Sequence, residues 1–246
     1  MKPLTSAYPS ITETRQSLAT SPFPSSERDR NVQFLTMLKA FFSLLAADAD
    51  ADLTAVDELS LSLVDSDAYR LAVAEMQRDP DVAALIHERY QPPAHDLDRL
   101  ITDPIGSLGQ VYAAMLQDSG FERIEMPLDL TTDTAYVEYR WQQTHDLWHV
   151  VTGFGTDEIS EIGLQAFYLA QFRLPLAGML VANALIGTTL LTPEAMPDLL
   201  RAIALGWELG EQAKPLFAQR WEEAWEKPVR QWRAELGLPL EGVLGR

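Results

Sequence analysis

A chain of 246 residues with 47% hydrophobic composition is long enough to bury one large core, or at most two small ones. Lys and Arg total 19 against 36 Asp and Glu, a formal charge of −17, so the average surface repels phosphate backbones and nucleic acid is not an expected partner. With no cysteine, disulfides, thiolate ligands and a Cys nucleophile are excluded, and any metal must sit on nitrogen and oxygen.

Met1 to Asn31 is rich in Ser, Thr and Pro, carries charges of both signs and lacks the apolar core of a secretory signal. Residues 1–30 read as a flexible tail, residues 31–246 as one helical domain, and the cytoplasm as the simplest location, with the inner face of a membrane open to peripheral contact. From Val32, apolar residues at Leu35, Leu38, Phe41, Phe42 and Leu45 recur at three- and four-residue steps, a buried helix. Asp48, Asp50, Asp52, Asp57, Glu58, Asp65 and Asp67 follow. That run lacks the order of a calcium loop and reads as a solvated helix face or helix start.

Pro92-Pro93 and Asp103-Pro104 punctuate the chain, and Ile105-Gly106-Ser107-Leu108-Gly109 reads as a turn before a helix over Gln110–Gln117. Its glycines fit no phosphate loop and predict close helix packing. Thr131 or Thr132 can cap a helix reaching Val151, ended by Gly153 and Gly155. Thr156 reads as the next N-cap, with Asp157 and Glu158 in the first turn. Leu174 to Pro193 are twenty residues without a charge, about the span of a bilayer core, but they are diluted by Pro175, Gly178, Asn183, Gly187, Thr188 and Thr189. They predict a helix lining an apolar groove or resting on a membrane. Thr192-Pro193 and Pro197 start further helices, and Pro215 is expected to open a last one with Phe217, Trp221 and Trp225 on one core-facing side and Trp232 beyond them, ended by Gly237. No strand alternation or fixed repeat appears, so the expected fold is a single all-α domain with a metal-bearing helix hairpin and an apolar groove.

Of four histidines, two fall in His145-Asp146-Leu147-Trp148-His149. On a helix these two lie on one face, roughly 5–6 Å apart, a separation that lets two imidazoles share an ion. Glu161 follows after eleven intervening residues, and a hairpin at Gly153 to Gly155 folds it back toward the pair. Two histidines and one carboxylate leave coordination positions open, as in catalytic zinc and non-haem iron sites. Asp146 points about 100° away from His145 and suits holding an imidazole N–H or a bound water. The pattern is not H-E-x-x-H, and His87 and His95 are poorly placed to complete a phosphohydrolase set.

His145, Asp146, His149 and Glu161 match H-D-x-x-H, eleven residues, then E, and so resemble the signature of the Coq-four family of coenzyme Q biosynthesis proteins. Pro104 to Gly109 with Tyr112, Arg173-Leu174-Pro175, Arg220-Trp221-Glu222 and Ala234 to Leu238 resemble that family's other blocks, over roughly residues 90–240. The resemblance implies an all-α fold, a divalent metal on His145, Asp146, His149 and Glu161, zinc with iron as alternative, and an apolar groove for a polyprenyl tail. It further implies peripheral membrane contact, quinone-pathway enzymes as partners and a decarboxylase that replaces the ring carboxyl of a polyprenylated hydroxybenzoate with hydroxyl. Asp146 or Glu161 would move a proton in that reaction. A non-catalytic isoprenoid-binding scaffold and an unrelated iron oxygenase are the competing readings, and a homodimer is compatible with an exposed apolar face.

Overall fold

The computed structural model describes residues 54–119, 130–241 and 243, so the expectations for the tail and for the Val32 to Leu45 helix lie outside the described residues. Among the described residues the chain forms α1 (Thr54–Val64), α2 (Asp67–Met76), α3 (Pro80–Glu88), α4 (Leu97–Leu100), α5 (Leu108–Ser119), α6 (Asp133–Thr152), α7 (Glu158–Phe172), α8 (Pro175–Leu191), α9 (Met196–Gln212) and α10 (Val229–Leu236). An isolated antiparallel bridge between Ser107 and Pro228 is the one strand-like pairing there, and the expected all-α class holds. Ser66, Asp79, Asp96 and Thr132 stand in extended backbone at helix starts and accept amide hydrogens of the first turn, satisfying donors the helix itself leaves open. The described part of the acidic run behaves as solvated surface: α1 buries Leu59 and Leu63, and Asp65 between α1 and α2 is exposed.

Two helices occupy the centre. In α6, Leu147 to Thr152 are buried without interruption, and in α7, Gly163 to Tyr168 are. At about 100° per residue, six consecutive buried positions cover the whole circumference, so neither helix keeps a solvent side over that stretch. Their mutual spacing is set by bulk. Trp141 and Trp148 of α6 meet Tyr168 and Phe172 of α7 with ring centroids 4.7–5.8 Å apart, which holds the axes away from each other. The α7–α9 crossing is the opposite case. Gly206 and Gly210 of α9 leave no room for a Cβ, lying against the Gly163 and Phe167 carbonyls and the Ala170 methyl of α7.

Several local expectations differ from the structure. Asp157, not Thr156, is the N-cap of α7, because its carboxylate reaches both the Ser160 amide (3.1 Å) and hydroxyl (2.6 Å). The helix expected over Gln110–Gln117 begins at Leu108. Gly109 does pack closely, against Asp103, Leu100 and Trp225, whereas Gly106 has open space around it and serves as a turn residue at φ 81°. The segment after Pro215 is not one helix but two 3₁₀ turns, Leu216–Ala218 and Trp221–Glu223, ahead of α10. Its backbone is committed elsewhere: Gln171 Oε1 accepts the Leu216 amide at 3.0 Å, and Trp225 and Lys227 carbonyls accept from Gly109 and Leu108 at 2.8 and 2.9 Å. Phe217, Trp221, Trp225 and Trp232 are nevertheless core, as the aromatic pattern implied. In α8 the buried residues are Leu176 and Ala177 at its start, while Leu190 and Leu191 at its end are 73% and 78% exposed. Among the described residues no helix is long and apolar enough to cross a membrane.

Candidate metal centre

The capped start at Thr132 and the left-handed Gly153 (φ 84°) fix both ends of α6, and Arg233 of α10 donates to the Val150 and Val151 carbonyls at 3.0 and 2.9 Å. His145 and His149 therefore sit on a helix turn whose end is held. Their Nε2 atoms are 3.2 Å apart. Across the Gly153 break, α7 places Glu161 in its first turn, with Oε1 3.0 Å from His149 Nε2 and Oε2 3.7 Å from His145 Nε2. His149 is buried, while the His145 and Glu161 side chains are 25% and 34% exposed, so the cluster opens to one side. Among the described residues these three form the one group of nitrogen and oxygen donors close enough to hold an ion.

Hydrogen bonding decides what those donors can do. His149 Nδ1 lies 3.1 Å from the Phe154 carbonyl, which only accepts, so Nδ1 carries a proton and a neutral ring presents its Nε2 lone pair to the Glu161 carboxylate. His145 Nδ1 lies 2.8 Å from the Tyr168 hydroxyl. The His149 Nε2 lone pair and the Glu161 carboxylate thus face each other at 3.0 Å with His145 Nε2 beside them, and without a cation a proton must stand between the two acceptors. Burial lowers the His149 pKa, but the Glu161 hydrogen bond and charge outweigh it and leave the net shift upward. At His145 burial and the charge of His149 prevail over Glu161 and Asp146, and the shift is downward. Burial raises Glu161, yet the hydrogen bond and charge of His149 hold it below the usual carboxylate value.

A divalent cation fits where that proton stands. Metal–nitrogen and metal–oxygen bonds of about 2.0–2.2 Å give a tetrahedral edge of roughly 3.3–3.6 Å; the imidazole nitrogens are 3.2 Å apart, and the carboxylate approaches His149 through Oε1 at 3.0 Å and His145 through Oε2 at 3.7 Å, so small side-chain movements complete the set. Asp146 is half-buried and outside the converging group, and its charge favours protonation of both histidines. His95 instead lies against Trp225, ring centroids 5.0 Å apart, and neither it nor His87 joins the cluster. The Phe154 carbonyl and Tyr168 were not foreseen. Tyr168 stands seven residues, two helical turns, after Glu161, a spacing that could have revealed it.

The family model of coenzyme Q (ubiquinone) biosynthesis protein Coq4 matches residues 30–241. The chain belongs to that family. A crystal structure of a candidate ubiquinone biosynthesis protein from Nostoc punctiforme is similar to this Coq4-family chain with a TM-score of 0.75 and 33% identity, covering 82% of this chain and 96% of the other. The mitochondrial ubiquinone biosynthesis protein COQ4 of Yarrowia lipolytica is 29% identical over 67% of this chain and 64% of its own length. The mitochondrial COQ4 homolog of Bos taurus is 31% identical over 67% of this chain and 63% of its own length. The match therefore spans just under two thirds of these relatives. Their names place them in mitochondria, which gives no support to the cytoplasmic location read from the sequence.

Proposed function

We propose that this chain serves polyprenyl-quinone (ubiquinone-type) biosynthesis as a metal-dependent enzyme that removes the ring carboxyl of a polyprenylated hydroxybenzoate and puts a hydroxyl in its place. The observation that carries the reading is the convergence of His145 Nε2, His149 Nε2 and the Glu161 carboxylate, with separations of 3.0 to 3.7 Å and one side open. Those three residues would hold the ion, zinc or iron. A divalent ion bound there would supply a Lewis acid for the carboxylate and for charge developing as carbon dioxide leaves. His149, pinned by the Phe154 carbonyl, fixes the floor of the site, and the exposed edges of His145 and Glu161 form the side from which an aromatic acid enters. Asp146, half-buried and next to His145 in the chain, would take or give a proton in this reading.

The net reaction breaks the ring–carboxyl bond, releases carbon dioxide and forms a ring–oxygen bond. It is a two-electron oxidation of the aromatic acid, shared between the ring carbon and the departing carboxyl carbon and balanced by dioxygen with a two-electron reductant and two protons, one oxygen entering the product and the other leaving as water. The exposed apolar end of α8 supports contact with the isoprenoid tail or a membrane surface. It also favours the second reading, a non-catalytic scaffold that presents isoprenoid lipids to other quinone-pathway enzymes, with self-association through the same face. Release of labelled carbon dioxide from a carboxyl-labelled polyprenyl hydroxybenzoate, with oxygen and a reductant, separates the two. The enzyme reading expects release by the metal-loaded protein and none by Glu161→Gln. No release, with equal lipid binding by both proteins, would establish the scaffold.

A further inference from the structure

Between the histidine pair and Glu161 the chain makes one turn, and both sides of the centre lean on it. α6 ends at Thr152, and the left-handed Gly153 closes it by donating its amide to the His149 carbonyl at 2.8 Å. Phe154 follows and faces two ways. Its carbonyl lies 3.1 Å from His149 Nδ1, and its ring fills the notch at Gly163 of α7, where an added methyl would stand 2.5 Å from the ring. Gly163 is two residues after Glu161. The turn thus sets a histidine on α6 and the spacing to the helix that carries the carboxylate.

What holds the turn comes from far along the chain. The last carbonyls of a helix have no helical amide to bond them, and Val150 and Val151 are buried. Arg233 of α10 supplies the donors, Nη2 to the Val150 carbonyl at 3.0 Å and Nε to the Val151 carbonyl at 2.9 Å, while Nη1 donates to the Leu240 carbonyl at 3.1 Å. A guanidinium suits this use because its N–H groups form a rigid planar fork, whereas an ammonium is a point donor. In a chain with 36 acidic residues, this arginine spends its hydrogen bonds on three carbonyls and forms no ion pair among the described residues. Its positive charge also stands at the negative end of α6.

Resting on the metal reading above, we propose that Arg233 is a positioning residue of the metal centre, which by holding the last turn of α6 keeps the Phe154 carbonyl on His149 and α7 at the distance the ion needs. Arg233 touches neither ion nor substrate and acts through the backbone. Its loss leaves two buried carbonyls without donors, so the turn opens or admits water. Removing a partner that holds a ligand ring directly costs roughly 10–100-fold in metal affinity, and Arg233, one step further out, belongs near the lower figure.

The test compares wild type, Arg233→Met and Arg233→Lys by zinc affinity in chelator competition and by amide hydrogen exchange of Gly153 in metal-free protein. Leu100→Ala, a cavity in the buried core at α4, is the destabilised control with the Arg233 bonds intact. Arg233→Met should bind zinc about 10-fold more weakly and exchange the Gly153 amide faster than its loss of global stability accounts for. Arg233→Lys, which keeps the charge but not the fork, should fall between. Leu100→Ala should keep wild-type zinc affinity, with Gly153 exchange in step with global stability. Unchanged zinc affinity in Arg233→Met, or Gly153 exchange no faster than stability dictates, would overturn the proposal. Should Arg233→Met fail to fold, Arg233→Lys gives the same two readouts. A wild type that binds no zinc sinks the metal reading instead, and Gly153 exchange then decides whether Arg233 holds the turn.

Discussion

Gly206→Ala and Gly187→Ala make the same chemical change on neighbouring helices and should move stability in opposite directions. A methyl at Gly206 would overlap the Gly163 carbonyl oxygen and press within 3.1 Å of the Phe167 amide. Neither obstacle is a flexible side-chain end, so α7 and α9 must separate. Overpacking costs about 1–3 kcal/mol, and a backbone obstacle puts this site at the upper end. The gain from replacing a helical glycine is about 1 kcal/mol, leaving a net loss near 2 kcal/mol, or roughly 4–8 °C in Tm for a chain of this size. At Gly187 the added methyl meets nothing within 4 Å, so only the propensity and unfolded-state terms remain and stability should rise by about 0.5–1 kcal/mol. Urea denaturation of both variants with wild type measures the pair. Because Gly163 lies two residues after Glu161, Gly206→Ala should also weaken zinc binding while Gly187→Ala leaves it unchanged. A Gly206→Ala protein as stable as wild type would refute the reasoning.

Arg140 and Glu222 form a fully buried two-bond ion pair at 2.6 and 3.0 Å that fastens the Trp221 turn to α6. Arg140→Met strands the carboxylate and should cost about 3–5 kcal/mol in urea denaturation, much of it recovered in the Arg140→Met, Glu222→Leu double variant. His145→Ala and His149→Ala should each lose zinc while keeping a single cooperative unfolding transition, because a core of this size needs no metal staple. The Asp157 pKa is held below its usual value by the Ser160 hydrogen bonds, against burial. Its folded pKa is below the unfolded value of about 3.9, so its charge stabilises the fold above that pH and the benefit is lost as pH falls through the depressed value. Thermal melts should therefore find Asp157→Asn less stable than wild type at neutral pH, with the gap closing as the pH falls below the ordinary Asp range.

What the sequence disclosed was local. Thr132, Gly153 and Gly237 announced helix ends because capping is settled by a residue and its next few neighbours. The histidine pair and Glu161 were legible because helical geometry and one short loop suffice to bring them together. Asp157 displaced Thr156 at the next cap through a second bond to the Ser160 hydroxyl, which composition alone does not rank. The aromatic spacing of Phe217, Trp221 and Trp225 correctly signalled a core but wrongly signalled a helix. There the backbone partners are Gln171 and the Leu108–Gly109 amides, far away in the chain. Arg140 with Glu222, and Tyr168 with His145, are 82 and 23 residues apart and become neighbours only once the helices are packed.

The central claim is a metal ion shared by His145, His149 and Glu161, and native mass spectrometry of gently purified protein tests it most directly. One divalent ion per chain in wild type and none in His149→Ala is the predicted result. Equal metal content in the two proteins, whether present or absent, would contradict the account.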